Sequence, residues 1–287
     1  MEVAAPGATK ATGEETDKSK SMILMTNQKL TTKYDTSPDT PTFCHDAFKH
    51  EWLMTRWEKF ALESLLKCIK PSVALEIGTY KGGSLQVISQ HATHVISVDM
   101  ISEPKETLAN EFPNVDFRVG DSSLLVPQVI SELSVLDASL NFVLIDGDHT
   151  TEGVRRDIES VLKYKPQNPL FIVMHDSFHP QCREGMLSVN WGANPFVDYV
   201  EIDFIPGVYY QAGTSKIKPG SMYGGFAIAK LMPSERKGPL LVSEGQRSVY
   251  SLCLADSLRL SACAEQGTNK PTKSLISRIK HRLRMQP

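Results

Sequence analysis

Between Val73 and Leu231, short apolar runs alternate with stretches of helical periodicity, and this alternation restricts the fold more than any other feature of the chain. The strand candidates are Val73–Ile77, His94–Asp99, Val115–Val119, Asn141–Ile145, Leu170–His175, Val200–Ile205 and Gly225–Leu231. The first five are short and apolar, as strands covered on both faces must be. Helical stretches over Ser84–His91, Lys105–Phe112, Leu124–Leu133 and Thr151–Tyr164 lie between them. A parallel return needs a crossover long enough to hold a helix, so the pattern predicts a doubly wound α/β sheet.

At 287 residues the chain has room for one such domain with extensions. Residues 1–38, rich in Thr, Ser, Lys, Glu, Gly and Pro, have little to bury and are expected to form a loosely attached arm. Its one apolar patch, Met22-Ile-Leu-Met25, could dock on a partner subunit, and self-association stays open. From Asp46 to Ile69, Phe48, Trp52, Leu53, Trp57, Phe60, Ala61, Leu65 and Ile69 recur at three- and four-residue spacing, which predicts a helix packed on the sheet and stopped by Pro71. The expected divisions are thus an arm (1–38), a helical extension (39–70), the α/β domain (71–232) and a C-terminal extension (233–287). Within the last, residues 272–285 have the pattern of a short cationic amphipathic helix, expected to be solvated.

A formal net charge of −2 and a pI near 6.5 provide no basic field for nucleic acid or lipid, so neither is an expected partner. No run of about 18 apolar residues is present. Five scattered cysteines without a C-x-x-C pair, and an acidic start without a cationic segment, suggest reduced thiols and a cytoplasmic protein.

The first strand leads into A-L-E-I-G-T-Y-K-G-G-S, residues 74–84, which then opens a helix. Gly78 permits a sharp turn, Gly82 and Gly83 keep side chains out of a ligand's way, and Ser84 stands at the positive end of the helix. A dinucleotide loop would read G-x-G-x-x-G and cradle pyrophosphate. Here Glu76 ends the strand, and a carboxylate that would repel pyrophosphate suits a cationic or amino-bearing ligand. Asp99 and Asp121 close the second and third strands in turn; such acids also cap helices and turns.

The fourth strand ends N-F-V-L-I-D-G-D-H-T-T-E-G-V and the fifth F-I-V-M-H-D-S-F-H. Neighbouring strands of a doubly wound sheet deliver their carboxyl ends to one crevice, so Asp146, Asp148, His149, His175 and Asp176 are expected to gather there. Two carboxylates and an imidazole can hold a divalent ion, preferably a hard one. Asp148 is expected to be a turn or cap residue. Glu152, Arg155 and Asp157 are expected on a solvated helix face, with Glu152 and Arg156 as an i, i+4 pair. His179 and Cys182 fall in what reads as a surface loop. The aromatic and glycine segments Trp191–Phe196, Gly207–Tyr210 and Met222–Gly225 suit either a pocket wall or core and turn positions.

The E-x-G-x-x-x-G loop with its ordered acids resembles the first motifs of class I methyltransferases that use S-adenosylmethionine (SAM). The resemblance implies a Rossmann-like seven-stranded sheet, mostly parallel with the last strand antiparallel. It also implies that Glu76, Gly78, Tyr80, Gly82, Gly83 and Ser84 surround the methionine half, that Asp99 binds the ribose hydroxyls, that Asp121 and Ser122 lie at the adenine, and that Asp146 borders the donor. I-D-G-D-H-x-x-E-G-V with H-D-S is similar, over about residues 72–180, to the branch containing cephalosporin-hydroxylase-like proteins and macrolide-sugar O-methyltransferases. That likeness implies metal ligands at Asp146, His175 and Asp176 and a general base at His149. His175 stands where the sugar enzymes carry an acid, which leaves the ion open among Mg²⁺, Mn²⁺ and Fe²⁺, or absent. The expected activity is O-methylation of a hydroxylated small molecule such as a sugar or polyketide. A hydroxylase-like tailoring enzyme and a catalytically silent SAM-binding protein are the alternatives.

Overall fold

The computed structural model describes residues 49–136 and 138–268, so the arm, the Met22–Met25 patch and the 272–285 stretch lie outside the described residues. Helix α1 (Arg56–Ile69) opens on a capping box, in which the Glu58 amide donates to Thr55 Oγ1 at 3.3 Å and the Thr55 amide donates back to the Glu58 carboxylate. Then β1 (Val73–Ile77), α2 (Leu85–His91), β2 (His94–Asp99), α3 (Glu103–Leu108), β3 (Val115–Val119), α4 (Ser122–Val135), β4 (Leu140–Ile145), α5 (Thr151–Val161), β5 (Leu170–His175) and α6 (Pro180–Ser188) follow one another. A second stretch supplies β6 (Val197–Ile205), the ribbon strands β7 (Val208–Tyr210) and β8 (Ser221–Tyr223), β9 (Phe226–Leu231), β10 (Leu241–Ser243) and α7 (Arg247–Thr268).

The main sheet runs β10-β6-β9-β5-β4-β1-β2-β3, and β9, antiparallel to both β5 and β6, is its one reversed strand. The chain therefore has the doubly wound, mostly parallel architecture with an antiparallel late strand. It has eight strands in this sheet instead of the expected seven, because Leu241–Ser243 adds a short edge beside Tyr199–Glu201. A strand of three residues is too short to show an alternation in sequence.

Each face of the sheet is covered. Val73, Leu75 and Ile77 point to a core shared with Val126, Ile130, Ile158 and Met186. Ala74 and Phe142 point the other way, onto Leu62, Leu66, Leu85 and Ile88. Burial of leucines such as Leu62 and Leu66 contributes roughly 1.5–3 kcal/mol each. The α1 stripe is corrected in phase and start. Among the described residues from 49 on, the helix begins at Arg56, its buried positions are Glu58, Ala61, Leu62, Glu63 and Leu66, and Leu53, Trp57 and Phe60 are exposed. On α5, Asp157 is fully buried, not solvated, because it faces the first turn of α4 and accepts from Ser122 Oγ at 2.7 Å. Glu152 pairs with Arg155 at 2.6 Å, not with Arg156, which turns toward Asp121 and Asp148. Cys182 lies inside α6, not in a surface loop, and is buried in the core.

The C-terminal extension is tied on through Arg183, which is almost completely buried. Its guanidinium donates to Asp203 at 2.7 and 3.1 Å and to Glu244 at 3.1 Å, and stacks 4.4 Å from the Tyr250 ring on α7. No described helix is long and apolar enough to cross a membrane.

Candidate active site

Strand order reverses between β1 and β4, and the crevice outside their carboxyl ends is where a doubly wound sheet can take a ligand. There Ile77 pairs with both Val98 and Ile145, so Gly78, Asp99 and Asp146 emerge side by side. The Gly78 amide extends one ladder to Val98 O at 2.9 Å, and the Asp146 amide extends the other to Ile77 O at 2.8 Å. Gly78 has φ +91°, and a Cβ there would sit 2.2 Å from Asp146 O. Only glycine fits this turn. A cleft of about 730 Å³ opens above it, bordered by Gly78, Thr79, Tyr80, Gly83 and Ser84 from the loop and by Asp99, Gly120, Ser122, Asp146 and Asp148 from the following strand ends.

The sequence-predicted residues divide into those that face this cleft and those that build it. Asp99 is bound to backbone: the Thr79 and Tyr80 amides donate to Oδ2 at 2.9 and 3.0 Å, and the Ile101 amide donates to Oδ1 at 3.0 Å. This fixes the loop, with Tyr80 in the left-handed region at φ 49°, and leaves accepting capacity on Oδ1. Glu76 is fully buried beneath the loop and does not border the cleft. Ser84 Oγ and Ser97 Oγ donate to it at 2.6 and 3.1 Å, and burial, which these hydrogen bonds offset only in part, pushes it up to about 8. Gly82, at φ +79°, turns toward Leu108 and is likewise outside the lining. Asp121 caps α4 by accepting from the Ser123 amide at 2.8 Å, and Ser122 rather than Asp121 borders the cleft. Asp148 is a turn residue that accepts from the Thr150 amide at 2.9 Å, and its exposed carboxylate also reaches the cleft.

Acids and imidazoles meet at one end of the cleft. His149 Nε2 lies 3.1 Å from Asp176 Oδ2 and 3.4 Å from Asp146 Oδ1, while His175 Nδ1 lies 2.8 Å from the same Asp146 oxygen. Hydrogen bonds to Asp146 and Asp176 raise His149 to about 10. Burial opposes ionisation of Asp146, but His175 and His149 outweigh it and hold its carboxyl below the usual range. Burial likewise opposes the charged form of Asp176, and His149, His175 and the Gly224 amide together bring it down to about 2. Asp176 adopts φ 58°, a left-handed conformation that turns its side chain back over the strand end.

Sequence reasoning missed one member. Glu58 reaches from the first turn of α1 to within 3.2 Å of His175 Nε2, so a carboxylate stands at each nitrogen of that ring. T-x-x-E at Thr55–Glu58 signals a helix start, but nothing local signals this second contact. The pairing of β7 with β8 was not expected, but of the aromatic segments that suited either wall or core, Val208, Tyr210 and Tyr223 line the cleft, whereas Trp191 is buried core and donates its Nε1–H to Met186 O at 2.8 Å. The aromatic segments thus divide between wall and core. His179 stacks on Tyr223 with ring centroids 5.8 Å apart, next to the cleft but outside its lining.

The donor set can hold a cation. Asp146, His149 and His175 each offer one ligand atom within 4.8 Å of the others, and Asp176 adds a carboxylate beside His149. Mixed carboxylate and imidazole ligation suits Mn²⁺ or Fe²⁺ as well as Mg²⁺.

Residues 75–177 match the family model of a methyltransferase domain. No curated protein matches the chain. Among solved structures, the O-methyltransferase from Bacillus cereus in complex with SAH is similar at 16% identity over 62% of this chain and 82% of that one, with a TM-score of 0.42. Rv0187 from MTB, in a cofactor-bound structure, shows 18% identity over 67% and 87%, with a TM-score of 0.46. TomG from Streptomyces achromogenes, an O-methyltransferase involved in tomaymycin synthesis, shows 14% over 63% and 82%, with a TM-score of 0.44. The matched segment, residues 75–177, spans the glycine loop, its ordered strand-end acids and the Asp146–Asp176 cluster, and this part of the chain is similar to a methyltransferase domain.

Proposed function

We propose that the protein transfers the methyl group of SAM to a hydroxyl oxygen of a small molecule. The observation that carries this reading is His149 Nε2 between Asp176 and Asp146, at 3.1 and 3.4 Å, at the border of the cleft that the glycine loop also lines. A hydroxyl is a poor nucleophile until its proton is taken, and an imidazole oriented by carboxylates takes it once the ring is in its neutral form. Asp99 and Ser122 offer hydrogen-bonding groups to the ribose and adenine of the donor, and Gly78 lets the donor approach the backbone. Leu53, Met54, Val208, Tyr210, Ile217 and Tyr223 form an apolar and aromatic wall opposite, which favours an acceptor with a flat apolar face and a hydroxylated edge.

Asp146, Asp176 and His175 are the proposed metal ligands, with His175 offering Nδ1 once the proton between it and Asp146 is displaced and Glu58 staying at Nε2. A divalent cation there would polarise the acceptor hydroxyl and neutralise the carboxylates that hold a proton on His149. Without one, the proton stays on His149, paired with Asp176 and Asp146, and has to leave before the ring can act as base, while Asp176 keeps the ring oriented. The scattered thiols and mild net charge fit a cytoplasmic enzyme working on metabolites.

The test is SAM-dependent turnover across a panel of hydroxylated sugars, polyketides and phenols, with and without chelator and with Mg²⁺, Mn²⁺ or Fe²⁺ restored. The expected product is a methyl ether. Binding of S-adenosylhomocysteine with no turnover, or methylation at nitrogen alone, would overturn the reading.

A further inference from the structure

We infer that Glu58 is a positioning residue of this site, acting through His175 and through the glycine turn at the root of the β7–β8 ribbon. The inference rests on the functional reading above. It adds a residue from α1, outside the segment 75–177 matched by the family model.

A carboxylate with no solvent exposure is costly unless each oxygen has a partner. Glu58 is fully buried, and its partners come from three separate parts of the chain. The Thr55 amide donates to Oε2, which completes the capping box. The Gly225 amide donates to Oε1, and His175 Nε2 stands 3.2 Å from the same oxygen. Capping a helix needs only the first of these contacts. The other two reach across the cleft floor to groups that matter for the chemistry.

One route runs through the ring of His175. Asp146 Oδ1 is hydrogen-bonded to Nδ1 at 2.8 Å and Glu58 Oε1 stands at ion-pair distance from Nε2 without hydrogen-bond alignment, so the imidazole lies between two carboxylates and rotation would carry it away from them. Asp146 Oδ1 is also the atom 3.4 Å from His149 Nε2. Glu58, His175, Asp146 and His149 thus form a single line of contacts that ends on the proposed base.

The second route runs through the turn. The Gly224 amide donates to Asp176 Oδ1 and the next amide, Gly225, donates to Glu58. Both glycines have positive φ, +71° and +86°, which lets two successive amides face the acids. A Cβ on Gly224 would lie 2.8 Å from Glu58 Oε1, so the carboxylate and the turn fit closely. This turn leads directly from Tyr223, which borders the cleft, into β9. One carboxylate therefore sets the orientation of His175 and the seat of the acceptor wall together.

The test uses the full chain with ¹⁵N-labelled histidine and backbone amides, as wild type, Glu58→Gln, His175→Gln and the double variant. Glutamine keeps the size of Glu58 but removes its charge. Three quantities are measured: the ring signals of His149, the calorimetric affinity for S-adenosylhomocysteine, and kcat on an accepted hydroxyl substrate. In Glu58→Gln the His149 ring signals should shift, donor affinity should stay within about threefold, and kcat should fall by about 10–100-fold. The double variant should lose no more kcat than His175→Gln alone. Unmoved His149 signals in folded Glu58→Gln, losses that multiply in the double variant, or an equal loss of donor affinity and kcat would each overturn the inference. Should Glu58→Gln fail to fold, His175→Gln decides instead, since it leaves the capping box intact. Its Gly224 and Gly225 amide signals should move, and unmoved signals refute the link. A wild type that methylates no hydroxyl would sink the methyl-transfer reading, while the ring and amide signals would still decide the role of Glu58.

Discussion

The two halves of the cleft are built by different means. On the glycine-loop side, the proposed donor side, Glu76, Gly78 and Asp99 lie within 24 residues of one another, and the two acids accept from backbone amides and hydroxyls of that stretch and from Ile101 just beyond it. On the acceptor side, acids meet imidazoles, and the contacts cross the chain: Gly225 to Glu58 spans 167 residues and Gly224 to Asp176 spans 48. The donor half is a loop that folds onto its own strand ends, so it can be preorganised locally. The acceptor half exists only when α1, β5 and β9 are all docked. In the first half the acids meet neutral donors alone, and in the second they meet imidazoles as well as backbone amides. Binding and chemistry should therefore respond separately to substitution.

The largest separation is expected at His149. His149→Ala should lower kcat by about 10²–10⁴-fold while the affinity for S-adenosylhomocysteine stays nearly unchanged. Steady-state kinetics beside calorimetry reads both. Equal losses in the two would mean that the halves are not independent and that His149 serves binding.

Glu76 sharpens the contrast through pH. Its carboxyl sits at about 8 in the folded chain because it is buried, against an ordinary value of 4.5. Between those values the folded protein keeps a proton that the unfolded chain has released, so this residue makes stability fall as pH rises, by at most about 1.4 kcal/mol per pH unit. Glu76→Gln should remove that contribution. Denaturant melts of both proteins from pH 5 to 8 should show the wild type losing ground to the variant as pH rises. Parallel curves would mean that Glu76 is ionised in the fold.

How much of this was legible follows the same division. The five parallel strands and the glycine loop could be read from the chain because each strand is a compact apolar run and each candidate acid sits at or just past the end of its own strand. Asp146, His149, His175 and Asp176 do converge as the doubly wound topology requires. Glu58 could not be read so, because its signal is spent on the capping box and its second partner lies on β5. The ribbon was hidden because each of its strands has only three residues. Asp157 looked solvated because charge spacing along α5 does not reveal that Ser122 faces it from α4. The exposed Trp57 and Phe60 misled for the opposite reason: apolar spacing predicts a stripe, but the face that packs on the sheet is the one carrying Ala61, Leu62 and Leu66.

Gly78 tests the rigidity of the donor half. Gly78→Ala demands an L-residue at φ +91° with its Cβ 2.2 Å from Asp146 O, so the loop or β4 must shift. Strain of this kind costs about 1–3 kcal/mol. Thermal melts should show the loss, and donor affinity should fall with it because the displaced atoms border the cleft. A variant that melts lower but binds S-adenosylhomocysteine as before would show that the loop adapts, contrary to a preorganised donor site.

The smallest effect is expected at Asp121, where two roles can be told apart. The carboxylate accepts from the Ser123 amide, and the Ser123 hydroxyl first and its amide second, more than the more distant Arg156, hold it below the usual carboxylate range. Removing an N-cap costs about 0.5–2 kcal/mol. If capping is all that Asp121 does, Asp121→Ala should lose that much stability while donor affinity barely changes, since Ser122 and not Asp121 borders the cleft. Asp121→Asn, which caps as well as the acid, should then restore the stability. Contact with the adenine amino group would instead appear as a loss of affinity in both variants, with a stability change in the alanine variant alone. That second outcome would require the α4 N-terminus to turn its cap outward when the donor binds, and would make the donor half less preformed than its hydrogen bonds suggest.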